Sequence, residues 1–274
     1  MRSSEPAHVR QRSSGRGGGI RFYFSVATLA TFAVISLLFG IVLAGAGNFI
    51  ALRYCLLFTL LIALVIAYSV VVRYRRANLS TAIRTVERHG TPGTEIRSSA
   101  WQFAILLALT GCGALLCGMA AIEIVIHQDE GFPGSAVIAG ALGLIFGWFG
   151  AGLAFGRIRR GGVILSRQAI VHRAWSFESR LDWPEIAVVT LANIGYAGTP
   201  VILVGGYANA NWVRRYTTRL WRIDRLPKTA MLQIDCRQFD VDPHVLYGYV
   251  RTYVDNPELR GELGTEAALT RARS

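Results

Sequence analysis

Charge is what this sequence has least of. Asp, Glu, Lys and Arg make up 17% of the 274 residues, against about 25% in ordinary soluble domains. The deficit is concentrated: no charged residue falls between Arg21 and Arg53, Arg53 and Arg73, Arg97 and Glu123, or Glu130 and Arg157. Lysine is nearly missing, with Lys228 the one example among 29 basic residues. The four cysteines, Cys55, Cys112, Cys117 and Cys236, form no CxxC pair and have no histidine cluster beside them. A disulfide framework and a structural zinc site are therefore not expected. P-loop, HExxH and GxSxG motifs are absent, as is a GxGxxG following a strand. Gly17–Gly19 and Gly205–Gly206 are turn or linker signals, and His172 and His244 have no carboxylate or cysteine partner in sequence. No enzyme class, catalytic residue or cofactor is implied.

What is present is apolar: 52% of the chain is hydrophobic. Each charge-free gap can hold the roughly 20 residues that cross about 30 Å of hydrocarbon. Spans are predicted near Tyr23–Leu43, Tyr54–Val72, Ala100–Ile124 and Ala136–Phe155, as helices, because a helix satisfies its own backbone in lipid. The first run is too long for the core of a cleaved signal peptide.

The basic residues orient these spans. Arg2, Arg10, Arg12, Arg16 and Arg21 precede the first. Arg73, Arg75, Arg76, Arg84, Arg88 and Arg97 lie between the second and third, and Arg157, Arg159 and Arg160 follow the fourth. The opposite side carries only Arg53, with Asp129 and Glu130 in the second outer loop. The positive-inside rule then predicts a multi-pass protein of the cell membrane with both termini cytoplasmic.

Five segments follow. Residues 1–21 are a disordered basic arm, and 22–156 are the four-helix membrane region with a cytoplasmic loop at 73–99. Residues 157–264 are a cytoplasmic domain, and 265–274 a flexible tail. In the loop, Leu79, Ala82, Ile83 and Val86 fall at helical spacing, ended by Gly90 and Pro92-Gly93. The pattern predicts an extension of the second span, an interfacial helix, or a helix packed on the C-terminal domain.

The fourth span carries the small ridge Gly143, Gly147 and Ala151. It predicts close packing with the third span or across a dimer, because lipid offers no hydrophobic drive to replace close backbone approach. Transporters place ionisable groups at mid-membrane; here Glu123 lies near an outer end. With His127, Asp129 and Glu130 it reads first as an interfacial cap, and less readily as a proton or metal site.

Beyond Arg157 the pattern changes to short β-like runs: Gly162–Leu165, Ala169–Trp175, Arg180–Trp183, Ile186–Leu191, Pro200–Val204 and Ala230–Cys236. Asp242-Pro243 then predicts a capped helix carrying Val245, Leu246, Tyr249, Val250 and Tyr253. Between them, Trp212, Tyr216, Leu220 and Ile223 alternate with Arg214, Arg215, Arg219, Arg222 and Arg225 at helical spacing. That segment reads as an interfacial element at anionic lipid or as a solvated or intradomain face, and less readily as a nucleic-acid contact.

The turn-separated strand pair followed by Leu181-Asp182-Trp183-Pro184-Glu185-Ile186 resembles bacterial PH-like domains. Asp240-Val241-Asp242-Pro243, with Asn256-Pro257-Glu258-Leu259-Arg260-Gly261-Glu262-Leu263, resembles uncharacterised actinobacterial membrane proteins carrying such a domain. The resemblance covers residues 160–264 and implies a small β-rich barrel with a C-terminal helix, Trp183 and Ile186 in its core, and no catalytic residues. Together these readings predict a membrane α-helical bundle with a PH-like domain, acting as a non-enzymatic interaction or scaffold module. Its expected partners are the membrane and a protein or another copy of itself, with no nucleic acid. A small transporter or channel and an anionic-lipid sensor are the alternatives. Candidate lipid contacts are Arg157, Arg159, Arg160, Arg214, Arg215, Arg219 and Arg222.

Overall fold

The computed structural model describes residues 17–74, 77–88, 90–126, 133–194, 198–217 and 230–273. Contacts divide the chain into two compact units at Ile66/Ala67. Four helices are long and apolar enough to cross a membrane: α1 (Gly17–Gly45), α2 (Phe49–Tyr74), α4 (Ala100–Ile126) and α5 (Pro133–Ala154). Each overlaps a predicted span. The shortest apolar stretch, Gly134–Leu153, has 20 residues, about 30 Å of helix.

In the first unit α1 and α2 form a hairpin. Gly47 turns it with φ +86°, and Asn48 Oδ1 accepts from the Ala51 amide at 3.0 Å. The two helices touch where Gly40 has no side chain: a Cβ there would sit 2.6 Å from Cys55 Cβ. Ser36 and Thr59 donate across to the carbonyls of Cys55 and Ala33 (both 3.3 Å).

In the second unit the β-rich region corrects the sequence reading at its start. The segment expected to be helical is a single turn, α3 (Leu79–Ala82), followed by a hairpin of β1 (Ile83–Arg88) and β2 (Thr91–Arg97). β2 pairs with β3 (Gly162–Ser166), and β4 (Ala169–Arg173), β5 (Phe177–Asp182) and β8 (Trp212–Tyr216) complete a six-stranded antiparallel sheet in the order β1-β2-β3-β4-β5-β8. A three-stranded sheet holds β6 (Ile186–Ile194), β7 (Thr199–Gly206) and β9 (Met231–Asp235) in the order β6-β7-β9. Six of these strands match predicted runs. β8 does not, having been expected at helical spacing.

The sheets share one core with α6 (Pro243–Asp255). Ile96, Val163, Leu165, Ile170 and Leu181 come from the larger sheet, Ile202, Val204, Leu232 and Ile234 from the smaller, and Leu246, Tyr249, Val250 and Tyr253 from the helix. Val163 and Leu165, Ile170 and His172, and Ile202 and Val204 are each two apart, so one face of each strand points into this core. α6 starts as predicted, with Asp242 Oδ1 accepting from His244 N at 2.8 Å and Pro243 opening the helix. Val245, however, lies outside the buried stripe. Trp183 is buried and its indole donates to the Ser166 carbonyl at 2.8 Å. Among the described residues the sheets do not close into a barrel.

The tail also departs from expectation. Residues Glu266–Arg271 form α7, which buries Ala268 and ties Arg271 to Glu262. Gly264 enters this element at φ +85°, its amide donating to Thr94 Oγ1 at 3.0 Å. A Cβ at Gly264 would lie 2.7 Å from Pro92 Cβ and Gly93 N. Gly264→Ala should therefore cost about 2 kcal/mol or more, measured as a lower denaturation midpoint of the β-rich region. An unchanged midpoint would show that α7 is not docked against β2.

Candidate functional site

α4 continues from β2 and α5 leads into β3, so a helical hairpin is inserted between two neighbouring strands. Its base is bonded to the sheets. Ser99 caps α4, its Oγ accepting from Gln102 N at 3.3 Å, and the buried Gln102 side chain donates to the Arg237 carbonyl at 2.6 Å. The Ser98 amide donates to Gly161 O and the Ser99 amide to Gln238 O. Trp175, in the β4–β5 turn, packs with Phe149 and Ile158 and meets Phe103 edge-on at 6.4 Å.

The outer face of the larger sheet carries the charge. Antiparallel register aligns Arg97, Gly162, Arg173, Glu178 and Arg215 in one cross-strand row. Strands lie about 4.8 Å apart, so Arg97 and Arg173 flank the glycine at about 10 Å. Gly162 is fixed by its own packing, since a Cβ would meet the Ile96 carbonyl at 2.8 Å. The next residues outward on the hairpin are Arg84, Val86 and Arg88 from β1 and Glu95 from β2. With Arg159 and Arg160, which follow α5, and with Gly161 and Ile164, they line a cavity of about 330 Å³.

Six arginines and one glutamate line this cleft: Arg84, Arg88, Arg97, Arg159, Arg160, Arg173 and Glu95. Arg84 pairs with Glu95 at 2.5 Å, and Arg88 with Glu178 of β5 at 2.6 Å. Arg160 Nε donates to the Ser98 carbonyl, which orients it without neutralising it. Arg97, Arg159 and Arg173 have no carboxylate within ion-pair distance among the described residues. Burial, then the nearby Arg97, lowers the Arg160 guanidinium below its ordinary range; burial, then Arg88, does the same to Arg173. Guanidinium nonetheless stays charged, so the cleft holds several like charges with too few counter-charges.

A second cavity, of about 470 Å³, adjoins the first through Arg159 and Arg160 and is otherwise apolar: Phe103, Leu107, Gly150, Leu153 and Ile158. It lies at the base of the α4–α5 hairpin, between the two helices.

The predicted contacts fall as follows. Arg159 and Arg160 are in the cleft, while Arg157 is exposed beside it. Arg214 and Arg215 are adjacent on a strand and so point to opposite faces; Arg215 joins the outer row, and Arg214 stacks over the Trp212 ring at 4.8 Å. Arg219 and Arg222 lie outside the described residues, as do His127, Asp129 and Glu130. Of the small ridge, Gly143 faces α4, where a Cβ would lie 3.7 Å from Gly118 N; a Cβ at Gly147 would meet nothing within 4 Å, and Ala151 is half-buried. The tighter α4–α5 contact is at Gly113, where a Cβ would lie 3.2 Å from the Phe146 ring. In sequence Arg84, Arg88 and Arg97 read only as orienting the spans, and Arg173 carries no signal of its own. The further signal of the first two is the period-two run Arg84-x-Val86-x-Arg88.

No protein-family model, curated protein or solved structure matches the chain.

Proposed function

We propose that the chain is a membrane-anchored, non-enzymatic binding module. In this reading its β-rich, PH-like domain is presented at the cytoplasmic face of the cell membrane to a protein partner or to a second copy of itself. The observation that carries the reading is the inserted hairpin. Because α4 and α5 join adjacent strands and are bonded at their base through Ser98, Ser99 and Gln102, the domain cannot swing freely on a tether. A rigid mount suits a surface that must meet its partner at a fixed height above the bilayer. The arginines beside the ends of α4 and α5 favour the cytoplasmic side.

Cross-linking in native membranes followed by mass spectrometry is expected to capture a reproducible partner, or the chain itself, through residues of the β-rich domain. Orientation has its own readout. On intact cells a membrane-impermeant thiol reagent should label Ala46→Cys in the α1–α2 turn and spare Gln168→Cys in the β3–β4 turn until the membrane is opened. Reversed labelling would refute the cytoplasmic placement, and cross-links confined to the spans would refute the presentation of the domain.

A further inference from the structure

We infer that the arginine cleft and the adjoining apolar groove together hold one anionic phospholipid. Its phosphate sits between Arg97, Arg159, Arg160 and Arg173, and an acyl chain runs along Phe103, Leu107, Gly150 and Leu153. The inference rests on the membrane-anchoring reading above and names the ligand class of its surface.

Three independent features converge. The first is charge: the cleft gathers six arginines, of which only Arg84 and Arg88 have carboxylate partners at ion-pair distance among the described residues. Like charges crowded on a half-buried surface repel one another unless an anion joins them, and planar guanidinium groups match phosphate oxygens bidentately. The second is space. Gly162 leaves a gap about 10 Å wide between Arg97 and Arg173, floored by Ile164 and edged by the Glu95 carboxylate, which Arg84 already pairs. The third is continuity. Arg159 and Arg160 line both cavities, so a headgroup in one places its tails at the mouth of the other. Phe103 and Leu107 lie in the first turns of α4, and Gly150 and Leu153 in the last turns of α5, which is the level where acyl chains meet headgroups. A free phosphate would use the cleft but leave the groove without a role.

Native mass spectrometry of the full chain in detergent tests this, with phosphatidylglycerol and phosphatidylcholine of matched acyl chains as probes and inorganic phosphate as competitor. The anionic lipid is expected to bind much the tighter. The double variant Arg97→Gln/Arg173→Gln should weaken it by about thirtyfold, at about 1 kcal/mol per arginine near the surface together with lost phosphate bonds. Arg97→Lys/Arg173→Lys should recover part of the loss, since charge remains while bidentate geometry does not. Leu107→Trp, which fills the groove, should weaken lipid binding while leaving phosphate competition intact. Arg251→Gln, on an exposed helix face, should change nothing. Equal retention of the two lipids would overturn the inference, as would wild-type affinity in the glutamine variant at an unchanged unfolding midpoint. Phosphate displacement with no effect of Leu107→Trp would assign the cleft to a free anion and overturn the lipid. Preference for a short RNA over either lipid would overturn it too. Absence of anionic-lipid binding by the native chain with partner capture intact would refute this inference alone; reversed thiol labelling would instead refute the anchoring reading beneath it.

Discussion

A fragment beginning at Arg157 and running to the C-terminus is expected not to fold, although it contains seven of the nine strands. Omitting residues 77–97 removes Leu79, Ile83 and Ile96 from the core, where they are 4%, 8% and 0% exposed. Large-to-small changes at such sites cost about 2–5 kcal/mol each, and whole domains are stable by only about 5–15 kcal/mol. The omission also strips β3 of one of its two partners, leaving Gly162–Ser166 as an apolar edge of the kind that drives aggregation. It further removes Thr94, which accepts from Gly264 N and is itself fully buried. The complementary chain restores the fold with the membrane hairpin left out. Arg97 and Gly162 are direct partners in register, so an Asn-Gly turn can join 77–97 to 162–273. Circular dichroism and denaturant titration should give a cooperative transition for the joined chain and none for the shorter fragment. Cooperative folding of the 157–274 fragment would reduce the β1–β2 hairpin to an accessory.

That expectation also marks where local pattern stopped being informative. The four spans were legible because a charge-free run of such length has one economical structure in lipid. α6 was legible because its cap, its proline and its buried stripe agree. The segment 79–88 satisfied two periods at once. Leu79, Ala82, Ile83 and Val86 fit a helix, while Ile83 to Arg88 alternate as a strand. A run that short cannot be arbitrated by periodicity; the pairing of β2 with β3, across an intervening helical hairpin, decides it. Trp212 and Tyr216 are spaced by four, which suits a helix turn and equally one face of a strand, and their pairing with β5 resolves it the second way.

The cleft was less legible than the fold for the same reason. Arg84 and Arg88 come from β1, Arg97 from β2, Arg173 from β4, and Arg159 with Arg160 from the segment after α5. Only sheet register brings them to one face. In sequence the first three look like the ordinary positive flank of a membrane span. The bundle's small residues were read as a ridge, but only part of the ridge meets α4: Gly143 does, and Phe146 rather than Gly147 makes the next contact, over Gly113.

Acidification from neutral pH to pH 4 should cost the β-rich domain about 3 kcal/mol through one residue, His172. Its imidazole is 3% exposed, and neither ring nitrogen has a hydrogen-bond partner among the described residues. It meets Phe177 edge-on at 5.6 Å and lies opposite Val163 and Ser179 in the sheet. Burial opposes the charged form and lowers the pKa from 6.5 to about 4, against the smaller opposite pull of Asp235. Between those two values the unfolded chain binds a proton that the folded chain excludes, so stability rises with pH across that window. The full contribution is present above 6.5 and is lost as the pH falls towards 4. His172→Leu fills a similar volume with no polar atoms. It should flatten this part of the pH dependence and raise stability in acid, where the native histidine penalty is greatest. Pulsed thiol labelling of Cys236, 1% exposed in the same core, reads the domain's opening in the full chain when the labelled peptide is resolved by mass spectrometry. The difference between variant and native chain isolates His172 from the carboxylates that titrate in the same range. A difference independent of pH from 7 to 4 would mean that the imidazole reaches a proton acceptor or solvent in the folded state, and that the inner face of β4 is not sealed.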